Sequence, residues 1–103
     1  VEIKKSIQDN WWRQGMMGGI KAQYDCIEVF SETDFTEDLK SVTIPVLVLH
    51  GDDDQIVPYE TTAVKAAELL QNGKLIIYPG FSHGMPTTEA ETINRDILEF
   101  INS

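Results

Sequence analysis

The stretch IPVLVLHGDDDQIVP, residues 44–58, decides the fold of this chain. Pro45 is followed by four apolar residues, 46–49, of which half are β-branched, and such a run predicts a strand that is covered on both faces. The run ends at His50 and Gly51, and three aspartates follow at once. Because ligands of parallel α/β sheets bind beyond the carboxyl ends of the strands, this acidic cluster is a candidate functional loop.

The sequence after this stretch predicts a helix, a second strand and a second helix. An apolar stripe at helical spacing comes first, and Asn72 and Gly73 favour the end of that helix. The apolar run 75–78 predicts another buried strand, and Thr88 with Glu91 predicts a capping box at the start of the last helix. The residues expected to face the core are Ala63, Ala66, Ala67 and Leu70 in the first helix and Ile93, Ile97, Phe100 and Ile101 in the second. This order predicts two parallel strands joined by a crossover helix, a pair that needs further strands beside it to be stable.

The first forty residues have a helical pattern. Apolar residues recur at helical spacing in two runs, and the adjacent glycines Gly18 and Gly19 separate them. The runs consist of Ile3, Ile7 and Trp11, and of Ile20, Tyr24 and Ile27. We expect a loop over 31–36, followed by a short helical turn that ends near Leu39.

The composition limits the partners and the compartment. The chain has 103 residues, with 17 acidic against 8 basic residues and a formal net charge of −9. This sign argues against nucleic acid and anionic membrane surfaces as partners, and no apolar run is long enough to span a bilayer. Cys26 is the only cysteine, so an internal disulfide is excluded and a reducing, cytoplasmic location is favoured. Because Val1 stands where translation would place Met, we expect a processed chain or a piece of a longer one.

Asp54 and His83 form a candidate pair at the ends of the two predicted strands. Adjacent parallel strands lie ~4.8 Å apart, so the loops that follow them are neighbours. A carboxylate that accepts a hydrogen bond from a histidine ring fixes the tautomer of that ring and stabilises its protonated form. The alternative is a solvated acidic turn beside a surface histidine.

At this point the sequence shows a specific resemblance. IPVLVLHGDDDQIVP, with PGFSHGM at 79–85, resembles the C-terminal part of the α/β-hydrolase family, and more narrowly the cofactor-free, non-haem chloroperoxidases and related aryl esterases. DNWWRQGMMGG at 9–19 and FSETDFTEDLK at 30–40 are similar to the same group. The resemblance implies an α/β fold in which residues 1–40 are a helical cap remnant that returns to the core. Residues 41–103 would be the C-terminal βαβα part of that core.

The resemblance also implies a site and a reaction. Asp54 matches the acid and His83 the base of a Ser-Asp-His triad, while Ile56, Val57 and Phe30 would face the acyl pocket; ordinary core packing is the alternative for these three. Such an enzyme forms a serine ester with a small ester or carboxylic acid. Water then gives hydrolysis, and hydrogen peroxide gives a peracid that can oxidise halide. No metal or other cofactor is required.

Ser82 lies in GFSHG, residues 80–84, which matches the G-x-S-x-G signature of serine nucleophiles. A nucleophile elbow needs a helix directly behind the serine, and the order Ser, Asp, His places the serine first. Here Ser82 follows Asp54, and Met85-Pro86 is expected to separate it from the helix cap at Thr88. We therefore expect the nucleophile outside this chain, in the N-terminal half of the same enzyme, and we expect the chain alone to be inactive. Its expected partner is that N-terminal half or, by self-association, a second copy of the chain.

Other kinds of site have weaker support. The three aspartates lack the spacing of an EF-hand calcium loop, and His50 with His83 lacks a zinc-ligand constellation, so no metal site is predicted. The remaining alternative from another class is a stand-alone acidic binding module without enzymatic activity. In such a module Trp11 and Trp12 would form an exposed interaction patch rather than cap packing.

Overall fold

The computed structural model describes residues 2–103 and contains two compact units, one that ends at Asp34 and a second, Phe35–Ser103. The boundary between the two units lies between Asp34 and Phe35. The assignment of 1–40 to a cap and 41–103 to the hydrolase core stays a prediction. Among the residues that the structure describes, no helix has both the length and the apolar character needed to cross a bilayer.

The first unit consists of helices α1, Lys5–Met17, and α2, Ile20–Glu32. The break predicted at the two glycines is confirmed, because Gly19 adopts a φ of 73°, which is unfavourable for residues with a side chain. Ile3 precedes α1, so its inclusion in the first helical stripe was wrong. The predicted loop is shorter than expected, since α2 continues to Glu32.

The second unit alternates strands and helices around a two-stranded sheet. Its elements are α3 Thr36–Ser41, β1 Val46–Gly51, a 3₁₀ turn at Tyr59–Thr61, α4 Ala63–Leu69, β2 Gly73–Tyr78, α5 Met85–Thr88 and α6 Ala90–Ile101. β1 and β2 are parallel, in a register that runs from Val46 opposite Gly73 to Gly51 opposite Tyr78. The predicted strand–helix–strand–helix order is confirmed, and each strand is two residues longer than its apolar run.

The core lies between one face of the sheet and the last two helices. Tyr78, Met85 and Ile93 are buried together, and the register partners Leu49 and Ile76 pack against them. The Tyr78 hydroxyl donates a 2.6 Å hydrogen bond to Asp96 of α6. This bond ties the carboxyl end of β2 to the last helix.

The start of α6 differs from the predicted capping box. Pro86 lies in the first turn of α5, where proline is tolerated because its missing N–H would have no intrahelical partner. Thr88 therefore belongs to α5, and α6 begins at Ala90 after a Glu89 cap that makes no side-chain hydrogen bond. The predicted core face of α6 is also too long, since Ile101 is 70% exposed.

Both strands are less covered than the sequence predicts. Within the described residues, positions 46–50 of β1 and 75–77 of β2 are only half-buried. Two strands leave two sheet edges, and nothing in this part of the chain pairs with them. Large apolar side chains are also exposed on the helices, among them Trp11, Trp12, Ile20, Phe30 and Ile101.

We predict that the isolated chain is not a stable monomer. Leaving a few hundred Å² of apolar surface bare forfeits several kcal/mol at ~25 cal/mol per Å², which is comparable to the whole stability of a small domain. Open strand edges also favour pairing with another chain. Sedimentation should therefore show concentration-dependent association. A monomer with a cooperative, concentration-independent denaturant transition would contradict this prediction.

Candidate active site

Three hydrogen bonds donated by backbone N–H groups hold the loops after β1 and β2 together. The N–H of Asp52 donates to the carbonyl of Tyr78 at 3.1 Å, and the N–H of Asp53 donates to the carbonyl of Phe81 at 3.2 Å. In return, the N–H of Gly80 donates to Oδ1 of Asp52 at 2.6 Å. The sequence indicated no separate role for Asp52 within the acidic cluster, whereas in the structure its carboxylate joins the two loops.

Gly51 allows these loops to approach each other. It is buried at the end of β1, and a Cβ at this position would overlap the backbone carbonyl group of Phe81. Because a backbone carbonyl cannot give way as the end of a side chain can, only glycine fits here without moving the second loop. The position of that loop determines where His83 lies.

Asp54 is the buried polar centre of the site. Its side chain is 4% exposed, and Oδ1 accepts hydrogen bonds from the N–H groups of Ile56 at 2.9 Å and Val57 at 2.8 Å. Burial alone raises the pKa of this carboxyl. The hydrogen bonds from Val57, His83 and Ile56 outweigh burial and lower the pKa to about 2. Asp54 is therefore an ionised carboxylate at neutral pH.

His83 meets the other oxygen of this carboxylate. Its Nδ1–H donates to Oδ2 of Asp54 at 2.8 Å, across 29 residues of sequence. Because an ionised carboxylate only accepts, the proton of the ring lies on Nδ1, and Nε2 keeps a lone pair when the ring is neutral. The His83 side chain is 57% exposed, so this second nitrogen is accessible from outside the buried pair. Such a nitrogen can act as a general base.

A second histidine lies at the same carboxylate, and the sequence did not indicate it. His50 Nε2 lies 2.9 Å from the carbonyl of Val57 and 3.2 Å from Oδ2 of Asp54. His50 occupies the end of β1 as predicted, with a side chain that is 15% exposed. The i, i+4 spacing of His50 and Asp54 was the available signal, but these residues lie at a strand end and not on a helix.

The residues predicted to face the acyl pocket lie in different settings. Ile56 and Val57 use their backbone N–H groups to hold Asp54, and the Ile56 side chain is 71% exposed. Phe30 lies on α2 in the first unit and is 78% exposed. Ile56 and Phe30 are thus not packed in a core within the described residues, and the pocket role of all three stays a prediction.

Ser82 is an exposed residue of the loop before α5. One reason for rejecting it as a nucleophile was wrong, because α5 begins at Met85 and no residue pair separates the loop from a helix. Among residues 2–103, however, the Ser82 hydroxyl makes no hydrogen bond to His83 or His50. Its backbone carbonyl accepts from Met85 and forms the turn into the helix.

The aspartate cluster does not gather into a metal-binding arrangement. Within the described part of the chain, no three His, Cys, Asp or Glu side chains are placed to hold a metal ion. The Asp52 and Asp53 carboxylates bond to Gly80 and Gln55, while Asp54 bonds to backbone amides and His83. Each of the three carboxylates thus has its own hydrogen-bond partners, and the three do not converge on one point.

Comparison with known proteins identifies the family. Residues 2–91 match the family described as serine aminopeptidase, S33, which covers most of the chain. The chain belongs to this α/β-hydrolase family. The resemblance seen in the sequence, to a part of a non-haem chloroperoxidase or esterase, is thereby confirmed.

Relatives of this α/β-hydrolase chain are considerably longer. It is 65% identical over its full length to a bifunctional esterase/perhydrolase of Acinetobacter calcoaceticus, of which it covers 37%. It is 57% identical over 98% of its length to a non-haem chloroperoxidase of Burkholderia pyrrocinia, of which it covers 36%. The crystal structure of a bromoperoxidase from Bacillus anthracis superimposes with a TM-score of 0.85 at 33% identity, over 98% of this chain and 37% of that one. The chain thus spans little more than a third of the proteins it resembles.

We predict that Asp54 makes stability depend on acid pH. Its pKa of about 2 in the folded state lies below the ordinary 3.8, so its stabilisation is present above pH 3.8 and is lost as the pH falls towards 2. The test uses a chimera in which this chain replaces the matching 37% of the Acinetobacter protein. Asp54→Asn should lower the free energy of unfolding near neutral pH by about 1–3 kcal/mol. Urea denaturation at several pH values should show a shallower loss between pH 4 and 2 than in the parent chimera.

Asp53→Asn is the matched control for this measurement. Asp53 is exposed, and its carboxylate bonds only to Gln55 among the described residues. The control should keep the pH dependence of the parent chimera. Equal slopes for Asp54→Asn and the parent would show that Asp54 is not held as an ionised carboxylate.

Proposed function

We propose that this chain supplies the acid and the base of a Ser-Asp-His triad in an esterase that also carries out perhydrolysis. His83 is the base, Asp54 orients it, and the nucleophilic serine lies in a part of the enzyme outside this chain. The observation that carries the proposal is the 2.8 Å bond from His83 Nδ1 to the buried Asp54 carboxylate. A triad requires this bond, because it keeps the lone pair of Nε2 available for the serine.

The reaction has two steps that share His83. Nε2 takes the proton of the serine hydroxyl as the serine oxygen attacks the ester carbonyl, and the same proton then passes to the leaving alcohol. An acyl-serine remains. In the second step Nε2 takes a proton from the acceptor, the acceptor oxygen attacks the acyl carbon, and the proton returns to the serine oxygen. The Asp54 carboxylate stabilises the protonated ring in both steps.

The acceptor decides the product. Water gives a carboxylic acid, and hydrogen peroxide gives a peracid. A peracid transfers one oxygen to a halide ion, so that the halide is oxidised to hypohalite and the peracid is reduced to the carboxylic acid. The functions of the two relatives, esterase/perhydrolase and non-haem chloroperoxidase, support both branches. The proposed substrates are thus a small ester or carboxylic acid and hydrogen peroxide.

The alternative of an acidic binding module has less support. A binding module gives no reason for a buried carboxylate held by two amides with an accessible histidine on its other oxygen. Its main supporting feature is the exposure of Trp11 and Trp12, at 69% and 70%. The same exposure fits an N-terminal half of the enzyme, which we propose as the partner. The acyl-pocket role of Ile56, Val57 and Phe30 and the cytoplasmic location belong to this proposal.

The decisive test compares His83 with Ser82 in the chimera. His83→Ala should lower kcat/KM for ester hydrolysis by about 10⁴-fold or more, because a triad acts as a unit. Ser82→Ala is the control in the same loop and should keep activity within a few-fold. Peracid formation should fall together with ester hydrolysis in the His83 variant. Both activities are measured as initial rates at equal concentrations of folded chimera.

Two outcomes would contradict the proposal. If Ser82→Ala abolished activity and a phosphonate labelled Ser82, the nucleophile would lie in this chain. If His83→Ala retained most of the activity in a folded chimera, the base would be another group.

We also predict that metal removal leaves both activities of the chimera unchanged. Every proton transfer in the proposed reaction involves side chains, the acceptor or the substrate, so chelation removes no reacting group. Rates before and after treatment with EDTA check this prediction. A loss that is restored by one added metal, together with a stoichiometric content of that metal, would overturn it.

A further inference from the structure

We propose that His50 is a positioning residue for the Asp54–His83 pair, an inference that rests on the proposed triad. His50 precedes the acidic loop in the same stretch as Asp54 and lies 33 residues before His83 in the sequence. In the structure its ring lies beside the loop that holds Asp54. It contacts this loop at two points that both bear on the carboxylate.

The first point is the carbonyl of Val57. His50 Nε2 lies 2.9 Å from this oxygen, which can only accept, so the ring carries a proton on Nε2 and donates it. The N–H of the same Val57 donates to Oδ1 of Asp54 at 2.8 Å. His50 therefore holds the backbone of Val57, and the N–H of this residue holds Oδ1 of Asp54.

The second point is the other oxygen of Asp54. His50 Nε2 lies 3.2 Å from Oδ2, the oxygen that accepts from His83. The N–H of His50 is directed to the Val57 carbonyl and makes no hydrogen bond to Oδ2, so the His50 ring borders Oδ2 at 3.2 Å while His83 donates to the same oxygen from the second loop. With Oδ1 held by two amides, these contacts leave the carboxylate one orientation, in which Oδ2 points to His83.

His50 does not compete with His83 as a base. Its Nε2 carries the proton that is donated to the Val57 carbonyl, so the basic nitrogen of the neutral ring is Nδ1. The side chain is only 15% exposed against 57% for His83, which gives a substrate far less access to this ring. Tyr59 lies on its other side, with ring centroids 6.5 Å apart. His50 therefore acts on the reaction through Asp54 and without contact with a substrate.

Three substitutions in the chimera test this role. His50→Leu removes the donor, and His50→Gln keeps an N–H at the distance of Nε2 from the backbone. His50→Asn is the matched control, because it carries the same amide one methylene short of that distance. We expect kcat per titrated active site to fall about 10-fold or more in His50→Leu and His50→Asn, since an error of 1 Å in placement can cost 10²-fold. KM should stay within two-fold, and His50→Gln should restore most of kcat.

A spectroscopic measurement separates positioning from a merely structural role. The proton shared by His83 Nδ1 and Asp54 should give a downfield signal in the proton NMR spectrum of the chimera. We expect this signal to shift upfield or broaden in His50→Leu and His50→Asn and to persist in His50→Gln. A variant that only loses stability would keep both the signal and kcat in its folded fraction, and that result would overturn the proposal.

The two proposals fail separately. If the chimera hydrolysed no ester, the proposed function would be wrong, and the NMR signal would still report whether His50 orients the Asp54–His83 pair. If His83→Ala abolished activity while all three His50 variants matched the parent in kcat and in the NMR signal, the triad would stand and the positioning role would be wrong. Should His50→Leu fail to fold, the comparison of Gln with Asn carries the same test.

Discussion

The buried charge of Asp54 is the constraint on which the rest of the site depends. An ionised carboxylate that loses its water costs several kcal/mol unless fixed donors replace that water. Here the N–H groups of Ile56 and Val57 hold one oxygen and the His83 ring holds the other. Each donor has to stay in place for the charge to remain stable. The loop after β1 therefore has one conformation, and the histidine on the next loop has one position relative to it.

The sheet provides this placement through its register. Gly51 and Tyr78 are partners at the ends of β1 and β2, so the two loops start level with each other. Gly51 lets the backbone of Phe81 come close, and the Tyr78 hydroxyl anchors the end of β2 to Asp96 of α6. In this structure two parallel strands and one following helix bring an acid and a base together across 29 residues. The geometry of the Asp54–His83 pair therefore depends on the contacts of Gly51 with Phe81 and of Tyr78 with Asp96, and not on the loops alone.

The sequence predicted the parts that depend on local pattern. The strand–helix–strand–helix order followed from apolar runs and stop signals, and the meeting of Asp54 with His83 followed from their places after adjacent parallel strands. Prediction from the sequence failed where one residue is compatible with two local structures. Pro86 was taken as a break before the last helix, although proline also begins helices, as it does in α5. It also failed for His50, because the contact of its ring with Val57 depends on how the loop folds back over the strand end. No periodic pattern in the sequence predicts that the loop folds back and brings Val57 to His50.

The surroundings of the Asp54 carboxylate and the outer surfaces of the chain differ in how completely the described residues cover them. Around Asp54 the structure is complete: among the described residues, no buried side-chain nitrogen or oxygen lacks a hydrogen-bond partner. The surfaces around it are open, with half-buried strands, exposed apolar helix faces and an accessible His83. Under the proposed function, the rest of the enzyme therefore has to cover these surfaces and to bring a serine and an acyl group to Nε2 of His83, whereas the donors to Asp54 all lie in this chain.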